Sequence, residues 1–193
     1  MENKPEGGKV IIEQEHFQLI LQRLAHQLVE KFNDFSDTCI IGLQPRGVIL
    51  AQGLAKILRE DLQIKNLELG KLDITFYRDD FRRREKPLGA YVTDIDFLVE
   101  GKNVILVDDV LYTGRTVQAG LTALNHYGRP KSVELLTLID RQFNRHLPIE
   151  STFTGMRIDA VDEAYVYVDW EEDLAGHQVI LFDRKEEFKQ LMQ

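Results

Sequence analysis

Residues 104–116 read VILVDDVLYTGRT, and no other stretch of the chain restricts its fold as strongly. Val104, Ile105, Leu106 and Val107 are apolar without alternation, the pattern of a strand buried on both faces in a parallel sheet. Two adjacent carboxylates, Asp108 and Asp109, close the run. In open α/β sheets ligands bind outside the carboxyl ends of such strands, so the pair stands where a ligand would sit. Acceptor-only groups there can take hydrogen bonds from vicinal ribose hydroxyls and hold Mg²⁺ directly or through its waters.

After the turn Val110-Leu111-Tyr112, the residues Thr113, Gly114, Arg115 and Thr116 offer hydroxyls, close backbone approach and free N–H groups ahead of a helix predicted from Val117. That combination forms an anion site suited to a monoester phosphate. The loop lacks the spaced glycines and Gly-Lys pair of a Walker A sequence, and the chain has no G-x-G-x-x-G fingerprint. An acidic turn before an N-capped helix is the plain alternative. It would suffice for DD or TGRT alone, but not for the whole ordered segment.

Around this segment, strand and helix patterns alternate. Phe17, Ile20, Leu21, Leu24, Ala25, Leu28 and Phe32 share one stripe of a helix predicted over 14–32. Thr38–Leu43 reads as a buried strand, Gln44–Gly47 as a turn, Val48–Leu58 as a helix and Leu67–Tyr77 as a second strand. A polar excursion covers 79–96, and Val117–Tyr127 is helical up to Gly128-Arg129-Pro130. Strands follow at Val133–Ile139, near Tyr165–Val168 and at Val179–Phe182, and a last helix runs from Arg184, while Met1–Lys9 reads as a loose start. This alternation predicts an α/β fold with a parallel sheet.

A chain of 193 residues suits one domain, and 44% apolar with 29% charged residues is an ordinary globular balance. No apolar run approaches a membrane span and no secretory signal is visible, so a cytoplasmic location is expected. The single cysteine, Cys39, lies in TCIIGL and reads as a buried hydrophobe. The five histidines show no metal-ligand pairing. A net charge of −8 weighs against a general polyanion binder, whereas a local basic loop can still steer a small anionic substrate.

VILVDDVLYTGRT closely resembles the phosphoribosyl pyrophosphate (PRPP) signature of type I phosphoribosyltransferases. The form DDVLYTGRT is similar to that of the pyrimidine operon attenuator/uracil phosphoribosyltransferase family. The segments RLAHQLVE at 23–30, PRGVILAQGLA at 45–55, LDITFYRDD at 72–80 and GRPKSVELLTLIDR at 128–141 extend the resemblance along most of the chain.

The resemblance implies a type I phosphoribosyltransferase fold: a mainly parallel central sheet flanked by helices, with a small hood built from the chain ends. It implies one domain over 1–193 with a mobile loop at about 78–96. Asp108 and Asp109 would serve the ribose hydroxyls and Mg²⁺. Thr113, Gly114, Arg115 and Thr116 would hold the 5-phosphate and Arg46 and Gly47 the pyrophosphate, with Val110, Leu111 and Tyr112 also in the PRPP site. Arg78 is the preferred catalytic cation of the loop, which continues through Arg82, Arg83, Arg84 and Lys86.

The implied reaction moves ribose 5-phosphate from PRPP to uracil, giving UMP and pyrophosphate, with transfer to another nucleobase as an alternative. Tyr112 stands where enzymes for 6-oxopurines carry a third aspartate, and a phenol with a pKa of about 10 is a poor general base at neutral pH. At the base end Val166, Val168 and Glu172 match the family pattern. Trp170 stands where an aliphatic residue is usual, with core, interface and base-site roles all open to it.

The family's second activity is nucleotide-responsive RNA binding, with UMP or UTP as effectors. Arg23, His26 and Arg145 match its RNA face, whereas Glu150 and Met156 replace basic positions there. A carboxylate repels a polyanion, which makes RNA a doubtful partner. The resemblance also implies a homodimer or higher homo-oligomer.

Overall fold

The computed structural model describes residues 8–79, 90–161, 163–170 and 177–191. Strands β1 (Lys9–Ile12), β2 (Thr38–Leu43), β3 (Glu68–Leu72), β4 (Asn103–Leu111), β5 (Ser132–Arg141), β6 (Phe153–Ile158), β7 (Tyr165–Asp169) and β8 (Gln178–Phe182) alternate with helices in their first two thirds. The helices are α1 (Gln14–Phe32), α2 (Arg46–Glu60), α3 (Arg115–Leu124) and α4 (Lys185–Leu191). Among the described residues, no helix is long and apolar enough to cross a membrane.

Five strands form a parallel sheet in the order β3-β2-β4-β5-β6. Side chains along β2 and β4 alternate between its two faces. Ile40, Ile105 and Val107 join α1 and α2 in one core, and Cys39, Ile41, Val104 and Leu106 join Val117 and Ala123 of α3 in the other. Burial on both sides is why these strands carry no polar alternation. Cys39 is fully buried, and burial pushes its thiol up to about 12, as an inert core residue requires.

From β2 and from β4, neighbours in the sheet, the chain leaves toward opposite faces, into α2 and α3. The crevice at their carboxyl ends is the topological switch point of the sheet. A second, antiparallel sheet in the order β1-β8-β7 is built from both ends of the chain.

Several boundaries differ from the sequence expectation. Residues 67–77 do not form one strand: β3 stops at Leu72 and a 3₁₀ turn covers Thr75–Tyr77. Asp73 is the cause, because its carboxylate accepts from the Thr75 N–H at 2.9 Å and the Thr75 hydroxyl at 2.6 Å. The segment beyond is pinned where it returns, through paired backbone bonds of 2.8 and 2.9 Å between Lys71 and Asp94. The part of the expected mobile loop at 80–89, with Arg82, Arg83, Arg84 and Lys86, lies outside the described residues. Strands β1 and β6 had no counterpart in the sequence reading, and Lys9, placed there in a loose start, opens β1.

Candidate active site

The acidic pair sits on a strand, not in a turn. β4 continues past Val107 because Asp108 pairs with Thr137, Val110 with Ile139 and Leu111 with Asp140 of β5. The backbone that carries the two carboxylates is therefore held in the sheet, and both residues are nearly buried, at 7% and 8% exposure. Burial, then the neighbouring negative charge of Asp109, pushes the Asp108 carboxyl above its usual range, and burial raises Asp109 as well.

Opposing this are the Asp109 N–H on Asp108 Oδ1 at 3.1 Å and the Val110 N–H on Asp109 Oδ1 at 2.8 Å. The guanidiniums of Arg46 and Arg78 also oppose it, with Arg46 at 3.8 Å from Asp109 Oδ2. The pair remains short of positive charge. Hard oxygen donors on two carboxylates, with no third His, Cys, Asp or Glu completing a cluster among the described residues, fit Mg²⁺. That ion keeps waters and takes substrate oxygens rather than an all-protein cage.

Beyond the pair comes the loop expected to hold a phosphate. Gly114 caps α3 in the left-handed conformation at φ 89°, and a Cβ there would approach Ile149 Cδ1 to 3.3 Å. The helix begins at Arg115, two residues before the expected Val117, so Thr116 is already in its first turn. Tyr112, Thr113, Gly114, Arg115 and Thr116 line a cavity of about 410 Å³ with Val110, Leu111, Asp108, Arg78 and Asp79. At its mouth the Arg115 guanidinium pairs with the Asp79 carboxylate, both half exposed.

Across the crevice, Arg46 and Gly47 are the first residues of α2, not part of a preceding turn. A Cβ on Gly47 would lie 2.2 Å from the Val107 carbonyl oxygen, so only glycine lets this loop rest on β4. The Gln44–Pro45 peptide is cis. Arg46 lies between Asp109 and the small sheet, with its guanidinium 5.1 Å from the Tyr167 ring centre.

A second cavity of about 480 Å³ adjoins the first, sharing Val110 and Tyr112 as a wall. Asp108 faces the first cavity and Asp109 the second, which Arg46, Arg141, Tyr165, Val166 and Lys185 also line. Val168 does not line it, being fully buried in the core, and Glu172 lies outside the described residues. Sequence reasoning missed Arg141. It is only 3% exposed, its guanidinium sits 4.0 Å over the Tyr112 ring, and its Nη2 donates to the Val161 carbonyl at 3.2 Å. Its signal was available: a charged residue at the carboxyl end of the buried strand LLTLIDR.

The three basic residues matched to an RNA face lie on two segments, α1 and the stretch after β5. Arg23 is exposed on α1 and donates to the carbonyls of Thr154 and Gly155, and His26 is exposed on the same helix. Arg145 is partly buried, donating to the Tyr112 carbonyl and the Asp140 carboxylate, where it braces the phosphate loop.

A buried acid pair beside a glycine-capped loop, faced by a second loop at the switch point of a parallel sheet, suits a phosphoribosyltransferase. The chain belongs to that family: the phosphoribosyl transferase domain matches residues 9–183. Its relatives within the family include proteins named bifunctional protein PyrR. It is 42% identical to the bifunctional protein PyrR of a Picosynechococcus strain over 88% of this chain and 94% of that one. It is 37% identical to that of Bacillus mycoides, over 91% and 97%. The fold is shared with solved purine enzymes. A hypoxanthine-guanine phosphoribosyltransferase from Bacillus anthracis superposes with a TM-score of 0.65 at 20% identity, covering 91% of this chain and 99% of that chain. A Trypanosoma cruzi hypoxanthine phosphoribosyl transferase gives 0.70 at 14%, covering 97% of each.

Proposed function

We propose that the protein transfers ribose 5-phosphate from PRPP to uracil, releasing pyrophosphate, as a single cytoplasmic domain. The observation that carries this reading is the pair of adjoining cavities divided at Asp108 and Asp109. One is floored by a phosphate loop and the other is flat-walled by Tyr112 and Arg141. The glycosidic carbon of a ribose held by the two carboxylates would lie between them.

The bond from C1 to the pyrophosphate oxygen breaks, the bond from C1 to uracil N1 forms, and the N1 proton passes to solvent. The N–H groups around Gly114 hold the 5-phosphate, and the carboxylates accept from the ribose hydroxyls. Arg46 and Arg78 face the departing pyrophosphate. Mg²⁺ held at Asp108 and Asp109 would add positive charge beside that leaving group. Positioning and fixed charge carry such a reaction, with no covalent role for the protein. Tyr112 lies under Arg141 with no carboxylate in its place, which disfavours a purine acceptor.

The test is a panel of nucleobases with PRPP and Mg²⁺. UMP formation is expected with uracil, and its absence overturns the reading. The bifunctional name of the relatives supports a second reading, regulation of pyrimidine genes through RNA. Arg23 and Arg145 are already hydrogen-bonded within the protein, so RNA phosphates would compete for them. A salt-sensitive gel shift with a pyrimidine-operon leader would establish that role, and no shift at low salt would remove it.

A further inference from the structure

Trp170, the single tryptophan of the chain, directly follows β7. Its indole packs edge-on against Phe17 of α1, with centroids 5.6 Å apart and planes at 87°. It packs likewise against His177, just before β8, at 5.1 Å and 76°. Phe17 and His177 are themselves buried and in contact at 5.1 Å. Three rings from α1, the end of β7 and the start of β8 thus form one packed body where the small sheet meets the large one.

The polar edge of this body points at the active site. Trp170 Nε1 and Asp109 Oδ2 are both sealed from solvent, and neither has a hydrogen-bond partner of good geometry among the described residues. The indole N–H of Trp170 faces the Asp109 carboxylate. A buried donor beside a buried acceptor, each otherwise unsatisfied, carries a desolvation cost that their mutual hydrogen bond would relieve. The same strand reaches Asp109 by a second route, through the Tyr167 ring against Arg46 and the Arg46 guanidinium 3.8 Å from Oδ2.

We propose that Trp170 is a positioning residue. Its indole N–H donates to Asp109 Oδ2 when PRPP occupies the site, fixing the carboxylate for the ribose hydroxyls and making the seating of the small sheet part of donor binding. This rests on the PRPP reading above, but not on the identity of the acceptor base.

The test uses the whole protein with PRPP and Mg²⁺ and reads binding separately from turnover. Trp170→Phe keeps a ring against Phe17 and His177 and removes the N–H. It should weaken PRPP binding about tenfold by calorimetry, the effect of one hydrogen bond to a charged group. The KM for the base should stay within about twofold, and kcat at saturating PRPP should change less than the KM for PRPP. In the wild-type protein, whose emission comes from this one indole, PRPP should shift the tryptophan fluorescence saturably. This readout stands even where the variant fails to fold. Equal PRPP affinity of W170F and wild type overturns the inference, as does unchanged wild-type emission at a PRPP level that calorimetry shows to be saturating. Protein that binds PRPP but makes no UMP overturns the uracil reading and leaves this one standing. Protein that binds no PRPP overturns both.

Discussion

The cavities proposed for donor and acceptor share a wall at Val110 and Tyr112, yet they are assembled in opposite ways. The donor side comes mostly from one continuous segment, 108–116, anchored by a central strand whose hydrogen bonds and two-sided burial leave it little freedom. The acceptor side draws on the end of β5, the strand β7 and the start of α4, residues brought together only by the small sheet from the chain ends. A composite acceptor wall can change residue by residue without disturbing the parallel sheet.

The sharpest way to break that contrast is to substitute the acid pair. If both carboxylates serve the donor ribose as proposed, Asp108→Ala or Asp109→Ala should lower kcat by about 10²–10³ for every base alike. Initial rates across the base panel would show a uniform loss. A loss confined to one base would place the pair in acceptor recognition and dissolve the distinction.

On the acceptor side the expected effect is smaller and selective. Arg141 rests its planar guanidinium on Tyr112, a stack that a lysine ammonium cannot reproduce. Arg141→Lys should raise the KM for uracil about tenfold while the KM for PRPP stays within about twofold. A matching rise in both constants would mean that the two cavities act as one.

The same asymmetry explains what could be read from the sequence. VILVDDVLYTGRT shows strand, carboxylates, loop and helix start in order, because the donor site is local in the chain. Its boundaries shifted only where β5 extended β4 through the acid pair and where Gly114 started α3 early. β6 escaped notice because Gly155 and Arg157 interrupt its apolar pattern, and β1 because it is four residues long and mostly exposed. Arg141 was marked only by its charge at the end of the buried run LLTLIDR. Its place in the site depends on Tyr112, Val161 and the small sheet, contacts that span distant parts of the chain. Trp170 was visible as an oddity, but its relation to Asp109 exists only in three dimensions.

The buried acid pair also sets a pH dependence that the acceptor wall should lack. Both carboxyls are raised above the unfolded value of about 4, so the folded chain keeps protons that the unfolded chain has already released. Stability contributed by the pair is therefore present in acid. It is lost as pH rises from about 4 through the folded value, which for Asp108 is about 8. Without ligands, the wild-type Tm should fall between pH 6 and pH 9 by a few degrees more than that of Asp108→Asn, on a scale of roughly 2–4 °C per kcal/mol for a chain of this size. Mg²⁺ with PRPP, which favours the ionised pair, should bind more tightly as pH rises through that range. Parallel Tm profiles for the two proteins would mean that the pair is not held protonated.

The smallest effect is expected at the donor cavity's own mouth, where Asp79 pairs with Arg115. Both groups are about half exposed, so the pair is screened and holds little stability. On the proposed function its importance is competitive: the Asp79 carboxylate occupies a guanidinium that lines the first cavity, and a 5-phosphate bound there would have to displace it. Asp79→Asn should therefore lower the KM for PRPP by about twofold at low ionic strength and leave the KM for uracil alone. The gain should fade at about 0.5 M salt, where charges this exposed no longer sense each other over more than a few ångströms. A rise in the KM for PRPP would show instead that Asp79 holds Arg115 in its binding position. The rigid character of the donor site would then extend from the buried strand out to its solvent edge.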